Sequence, residues 1–411
     1  MCILVWALAF LSVTNAAKSP LKTEYEWKYI DFDWDSQVQK NWYIENGLYD
    51  PSAIIPIDVE RVDDGRTFIT TVRSKGVPAS LHTVTSKSNK ESGPLLKPYP
   101  DWSWYNTVNP CDGIINVFRV ATDQCNRLWV LDTGSINTKK VCQPKLLAFD
   151  LKNDKLVFWE ELSNEVAQNK KGEGLLVNPI VETEGPNCED ITIYMADVEG
   201  HGLLVWNNHK VVRLNDRVFS PDAKYAKMNI TGTEFELEDG ILGMALSPKT
   251  WNKAENRILY FRPLASTCIY AASTTDLKRS LKGSSVNYVA AIDILPSQSV
   301  TMVISSDGTL FYSLTKEVAI GCWNPVRPIT SENLAIPLRD TERLQFVSGM
   351  KVKKQSYPIN EYLLMLSNRF QNYLTTSMNP NETNYRVMTA PIQDLVKGTV
   401  CDKYYQKKAI W

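Results

Sequence analysis

A strand pattern recurs six times along this chain, at intervals of roughly 50 to 65 residues. Each unit opens on a short apolar run, followed by a Gly/Asn/Pro-rich break and two further strands. The opening runs fall at 54–57, 115–118, 175–177, 241–244, 288–291 and 346–350. The pairs that follow include 128–131 with 146–149, 193–195 with 203–206, and 303–305 with 310–312. The strands are about five to seven residues long and rich in branched aliphatic and aromatic side chains, which suit a pleated, half-buried surface. Turns such as Asn256, Asp307-Gly308 and Glu199-Gly200 separate them.

No stretch longer than about ten residues keeps a helical period, and 160–168 and 274–281 read as insertions between strands. A parallel α/β sheet needs a helix after every strand, so that class is excluded. Several strands per repeat at this period predict an all-β chain, a six-bladed β-propeller with the apolar opening strands nearest its axis. Twelve Trp and eighteen Tyr supply large rings for the wedge-shaped gaps between blades. A pair of β-sandwiches is the alternative, but no linker divides the 411 residues. A formal net charge of -1 gives no bulk attraction to nucleic acid or to an anionic membrane, and neither partner is expected. Oligomeric state is left open.

The first residues carry a separate message. From Cys2 to Val13 the chain is almost wholly apolar, and Thr14-Asn15-Ala16-Ala17 supplies small residues for cleavage. This predicts a signal peptide over 1–16, too short to span a membrane, ahead of a single secreted, extracellular domain over 17–411. Export places the seven remaining cysteines in an oxidising compartment, where up to three disulfides are expected from Cys111, Cys125, Cys142, Cys188, Cys322 and Cys401. Cys322 with Cys401 would join the last two repeats and latch the ring, and Cys268, inside an apolar run, is the expected free thiol. Only three histidines and no close CxxC pair are present, so no structural metal site is expected. Asn229 and Asn381 head N-glycosylation sequons.

The runs Pro98-Tyr99-Pro100-Asp101-Trp102-Ser103-Trp104 and Asp123-Gln124-Cys125-Asn126-Arg127-Leu128-Trp129-Val130-Leu131-Asp132-Thr133-Gly134 resemble the major royal jelly protein/yellow family of insects. So do Gly76-Val77-Pro78-Ala79-Ser80-Leu81, Asp239-Gly240-Ile241-Leu242-Gly243-Met244, and Gly321-Cys322-Trp323-Asn324. These blocks lie in order across nearly the whole mature chain. The resemblance implies a secreted six-bladed propeller. Family members act in cuticle and eggshell pigmentation, as nutritive secretions and as salivary binders of biogenic amines, and a few are assigned dopachrome-converting activity. On that basis the chain is expected to be a non-enzymatic propeller whose central channel takes a small aromatic amine. A dopachrome-converting isomerase and a nutritive or structural protein are the alternatives.

In the amine-binding members the ligand sits in the central channel, against an Asn and a Phe two residues apart and a Thr after a Phe-x-x-Gly run. The resemblance carries these positions to Asn368, Phe370 and Met350, where Met cannot supply the hydroxyl. The residues themselves add a pattern. Asp112-Gly113, Glu173-Gly174 and Asp239-Gly240 place an acid and a glycine before the opening strand of three units. If those strands line the channel, the carboxylates gather at one mouth and attract a protonated amine or Ca²⁺; otherwise they are local acid–Gly turns. Asp132-Thr133-Gly134 occurs once and reads as a turn, since an aspartic protease needs a second copy. No nucleophile elbow or phosphate-cradling loop is present, so no catalytic residue and no cofactor is assigned. Arg127 is expected to pair with Asp123 or stack on Trp129. The basic stretch 397–408 reads as a solvated tail.

Overall fold

The computed structural model describes residues 19–137, 139–249, 256–355 and 360–405; the expected signal peptide lies outside the described residues. Six four-stranded antiparallel sheets stand around one axis. Their inner strands are Pro56–Arg61, Val117–Thr122, Leu176–Glu184, Ile241–Leu246, Met302–Ile304 and Phe346–Gln355, each packed beside the next so that the sixth returns to the first. This is the six-bladed β-propeller that the strand period predicts.

One blade differs from the sequence expectation. Tyr288–Ala291 is the outer strand of the fourth blade, and the fifth blade opens on Met302–Ile304. Val289 is 64% exposed, which suits a rim strand and not the axis. The segment expected as the second strand of that unit is therefore its first.

The ring closes through the chain's beginning. Lys22–Trp27 pairs antiparallel with Tyr385–Pro391, so the N-terminal strand is the outer strand of the sixth blade. Trp27 is buried and its indole N–H donates to Pro94 O of the first blade at 2.6 Å. Arg61 of the first blade pairs with Glu24 at 2.6 Å. The closure is thus non-covalent at this seam.

Three disulfides support the ring. Cys111–Cys142 ties the approach to the second blade to its own loop, and Cys125–Cys188 joins turns of the second and third blades. Cys322–Cys401 fixes the segment after helix Ile392–Val396 to the fifth blade. Among the described residues Cys268 is the free cysteine, and it is buried. The C-terminal stretch is docked as far as Tyr405, contrary to the solvated tail expected. The Arg327 guanidinium donates to the carbonyls of Val400, Asp402 and Tyr405 at 2.8, 3.2 and 2.8 Å.

Five of the six inner strands begin with a register shift against their second strand, at Pro56/Asp58, Val117/Val120, Leu176/Asn178, Ile241/Gly243 and Val347/Gly349. A bulge leaves one residue out of the ladder, re-aims its side chain and frees its backbone groups. Around this axis it turns Ile57, Phe118, Arg119, Val177 and Leu242 toward the channel, and these residues line one cavity.

Candidate functional site

That cavity occupies the end of the channel where the inner strands begin, and has a volume of about 220 Å³. Its wall is mostly apolar: Ile55, Ile57, Val72, Phe118, Leu175, Val177, Val198, Leu237, Leu242, Leu264 and Val300. Three aromatic side chains, Phe346, Phe370 and Tyr373, form one side. Phe370 stacks on Phe346 with ring centres 4.8 Å apart, and the short helix Phe370–Leu374 that carries it packs against strand Thr233–Glu236 of a hairpin inserted before the fourth blade. Phe235 of that hairpin meets Phe370 edge-on at 6.5 Å.

Three charged groups interrupt this wall, Asp239, Glu199 and Arg119. Asp239 lies just ahead of the fourth inner strand. Its carboxyl accepts no hydrogen bond and meets no cation among the described residues; burial, and then the charge of Glu199, push its pKa up to about 7. Glu199, in the turn between the second and third strands of the third blade, stands at the mouth, its surface open to solvent on one side only. Its pKa is also raised, by burial and then by Asp197 and Glu173, with Lys140 opposing. Carboxyls raised in this way gather at functional sites, which makes the two candidates for holding a ligand or a proton.

Arg119 closes the cavity from below. Its side chain is 4% exposed and crosses the axis to three other blades, donating to Leu242 O at 3.4 Å, Val300 O at 3.3 Å and Ser348 O at 2.8 Å. Leu242 and Ser348 lie in the bulges, where their carbonyls are free of the ladder. Burial lowers the Arg119 pKa and the nearby Asp58 charge partly restores it. Beyond Arg119 the channel opens again into a second chamber of about 290 Å³, bordered by Glu60, Lys351 and Lys353. There Lys351 pairs with Asp58 at 3.0 Å and Lys353 with Glu60. The channel is therefore two chambers with a guanidinium between them.

The sequence candidates distribute unevenly over this geometry. Phe370 lines the upper chamber. Asn368 stands behind the wall, buried, donating to Pro56 O at 2.8 Å and Ser348 Oγ at 3.1 Å. Met350 is 2% exposed in the apolar core around the fifth and sixth blades and does not line the chamber.

Of the three acids, Asp239 is in the wall, and Glu173 lies close enough to raise the Glu199 pKa. Glu173 is exposed and accepts from Asn169 Nδ2 at 2.8 Å; Asp112 is exposed and accepts from Asn109 Nδ2 at 3.0 Å. Both behave as local turns. The glycine after each acid has its own cause: a Cβ would lie 2.1 Å from Trp104 O at Gly113, 2.2 Å from Ala167 O at Gly174 and 2.8 Å from Phe219 O at Gly240. Among the described residues no group of three or more His, Cys, Asp or Glu is placed to hold a metal ion.

Arg127 makes both contacts expected of it, an ion pair to Asp123 at 2.6 Å and a cation–π contact to Trp129 at 5.5 Å. Asp132 accepts from the backbone N–H groups of Ile115, Asn116 and Gly134, and so fixes the entry to the second blade. Asn229 and Asn381 are both exposed.

Fold and site together define a six-bladed propeller with an acid-lined, mostly apolar chamber at one mouth. The sequence comparisons place it further. The family model for the major royal jelly proteins matches residues 115–401, and the chain belongs to that family. It is 37% identical to major royal jelly protein 9 of Apis mellifera, covering 97% of this chain and 96% of that one. It is 38% identical to major royal jelly protein 2 of the same insect, over 95% and 86% of the two chains. Among solved structures it resembles a luciferin-regenerating enzyme at 10% identity and a TM-score of 0.45, over 84% and 92% of the two chains, a likeness too loose to bear on function.

Proposed function

We propose that the protein is a secreted, non-enzymatic propeller whose upper chamber binds a small aromatic amine. The observation that carries this reading is Asp239, a carboxyl without hydrogen bond or counter-ion among the described residues, set in an otherwise apolar and aromatic wall. The carboxyl is half-buried and free to face the chamber, and a protonated amine would supply both the charge and the donors it lacks. Phe346, Phe370 and Tyr373 offer faces for an aromatic body, and the ammonium gains further from nearby π-faces. The volume of about 220 Å³ suits a molecule of one or two rings. Three disulfides accord with export, and exposed Asn229 and Asn381 are proposed glycan sites.

Calorimetric titration with serotonin, dopamine and octopamine tests the reading. Saturable binding at micromolar concentration or below, lost in Asp239→Asn, supports it; flat heats for all three refute it and leave a nutritive or structural role. A second reading rests on the same residue. A carboxyl with a pKa of about 7 can take and return a proton near neutrality, as dopachrome conversion requires. Turnover of dopachrome that disappears in Asp239→Asn would favour that reading over simple binding.

A further inference from the structure

The upper chamber carries opposite charge at its two ends. Asp239 and Glu199 stand at the mouth, and Arg119 stands at the floor. Along the fourth blade the floor is marked by the carbonyl of Leu242, three residues beyond Asp239 and so no more than about 10 Å deeper at the usual rise of a strand. Between the two ends the wall is apolar, so neither charge is screened by polar side chains.

Arg119 is not a spent group. No carboxylate lies within ion-pairing distance of it among the described residues; Asp58 acts on it only at longer range. Its three hydrogen bonds to Leu242, Val300 and Ser348 use three of the five N–H donors a guanidinium presents. The remaining donors belong to a side chain that borders the cavity. A guanidinium in this setting attracts an acceptor or anion in a ligand's far end and repels a second cation, and low surrounding polarity strengthens both effects.

We infer that Arg119 is a specificity determinant of the upper chamber, selecting ligands with a cation at one end and an anion or hydrogen-bond acceptor at the other, and rejecting dications. This rests on the amine-binding reading of the mouth. The same side chain makes the chamber a dead end, because a cation admitted between Asp239 and Glu199 meets like charge before it can reach the second chamber. Selection here arises from a fixed repulsive element as much as from an attractive one.

The test uses three probes that share one skeleton: phenethylamine, its para-carboxylate and its para-aminomethyl derivative. Each is titrated calorimetrically into the full-length secreted protein at low ionic strength and neutral pH. The para-carboxylate is expected to bind about tenfold more tightly than phenethylamine, and the dication about tenfold more weakly, the effect of adding one charge-assisted hydrogen bond or one like-charge repulsion. In Arg119→Gln, which keeps donors for the blade carbonyls and removes the charge, the three affinities converge.

Equal affinities in the wild-type protein, or a dication that binds best, overturn the assignment of Arg119 while the reading of the mouth stands. Failure of phenethylamine and both derivatives to bind overturns the two together. The wild-type order needs no variant, so it decides the matter even if Arg119→Gln does not fold.

Discussion

Arg119 Nη2, on the inner strand of the second blade, donates to Ser348 O on the inner strand of the sixth, 2.8 Å away across the propeller axis. Together with the bonds to Leu242 and Val300 it cross-braces four blades through one side chain. Removing it leaves Val300 O and Ser348 O without that donor, while Leu242 O keeps the one from Asn178 Nδ2 at 2.7 Å. Arg119→Met should cost about 2–4 kcal/mol of stability, and Arg119→Gln clearly less, as read from the midpoint of denaturant unfolding. Equal costs for the two would mean that the packing of the stem, not the donors, braces the axis.

Asn368 and Phe370 are two residues apart and do different work. Asn368 holds Pro56 O of the first blade and the hydroxyl of Ser348, so Asn368→Ala should destabilise by about 1–3 kcal/mol. Its effect on amine affinity is then indirect, through Ser348 and Arg119. Phe370→Ala removes a ring from the chamber wall and should weaken amine binding about tenfold with a smaller loss of stability. Thermal melts and titrations on the two single variants separate these roles. A reversal, with Asn368→Ala abolishing binding in a fully stable protein, would put Asn368 against the ligand.

Asp239 makes a prediction for the ligand-free protein as well. Its folded pKa is raised to about 7, above the unfolded value, so protonation favours the native state. Its stabilising contribution is complete below the unfolded pKa and is lost as pH rises through about 7. Asp239→Asn should therefore be more stable than wild type at pH about 8, by on the order of 1 kcal/mol because the chamber admits some water, and equal to it at pH about 4. Melting temperatures measured across that range check the sign.

The bond between Cys322 and Cys401 holds the docked C-terminal segment to the fifth blade alongside the three Arg327 hydrogen bonds. Replacing both cysteines by serine should cost about 2–4 kcal/mol. Limited proteolysis should then cleave after residue 397 while the six blades stay resistant. Loss of the whole propeller at the same protease concentration would show that the segment is integral to the ring.

Most of the architecture was legible because the blades are built from short, largely apolar strands bounded by turns and repeated at one period. The fifth unit misled because Tyr288–Ala291 is as apolar as an inner strand, whereas Met302–Ile304 is three residues long and follows a Ser/Thr-rich stretch. Composition says that a strand exists there, not which rung of the blade it occupies. Closure by Lys22–Trp27 left no local trace, since its partner lies more than 350 residues away.

The site was less legible for the same kind of reason. Asp239 surfaced through the acid–Gly pattern, but an arginine in Val117-Phe118-Arg119-Val120 gives no sign that a bulge turns it inward. Glu199 reads as a turn residue, which it is; its place at the mouth depends on how the third and fourth blades meet.

Asp239, as a carboxylate, is the proposed counter-ion of a bound amine. Serotonin titrated calorimetrically into wild type and Asp239→Asn from pH about 5.5 to 8.5 tests it most directly. The amine stays protonated over this range, so affinity follows the carboxylate: it should rise with pH through about 7, by about as much as Asp239→Asn loses, and level off above. In Asp239→Asn it should be about tenfold or more weaker at the upper end, with most of that dependence gone. Equal affinity in the two proteins, or wild-type binding that does not change with pH, would contradict the account.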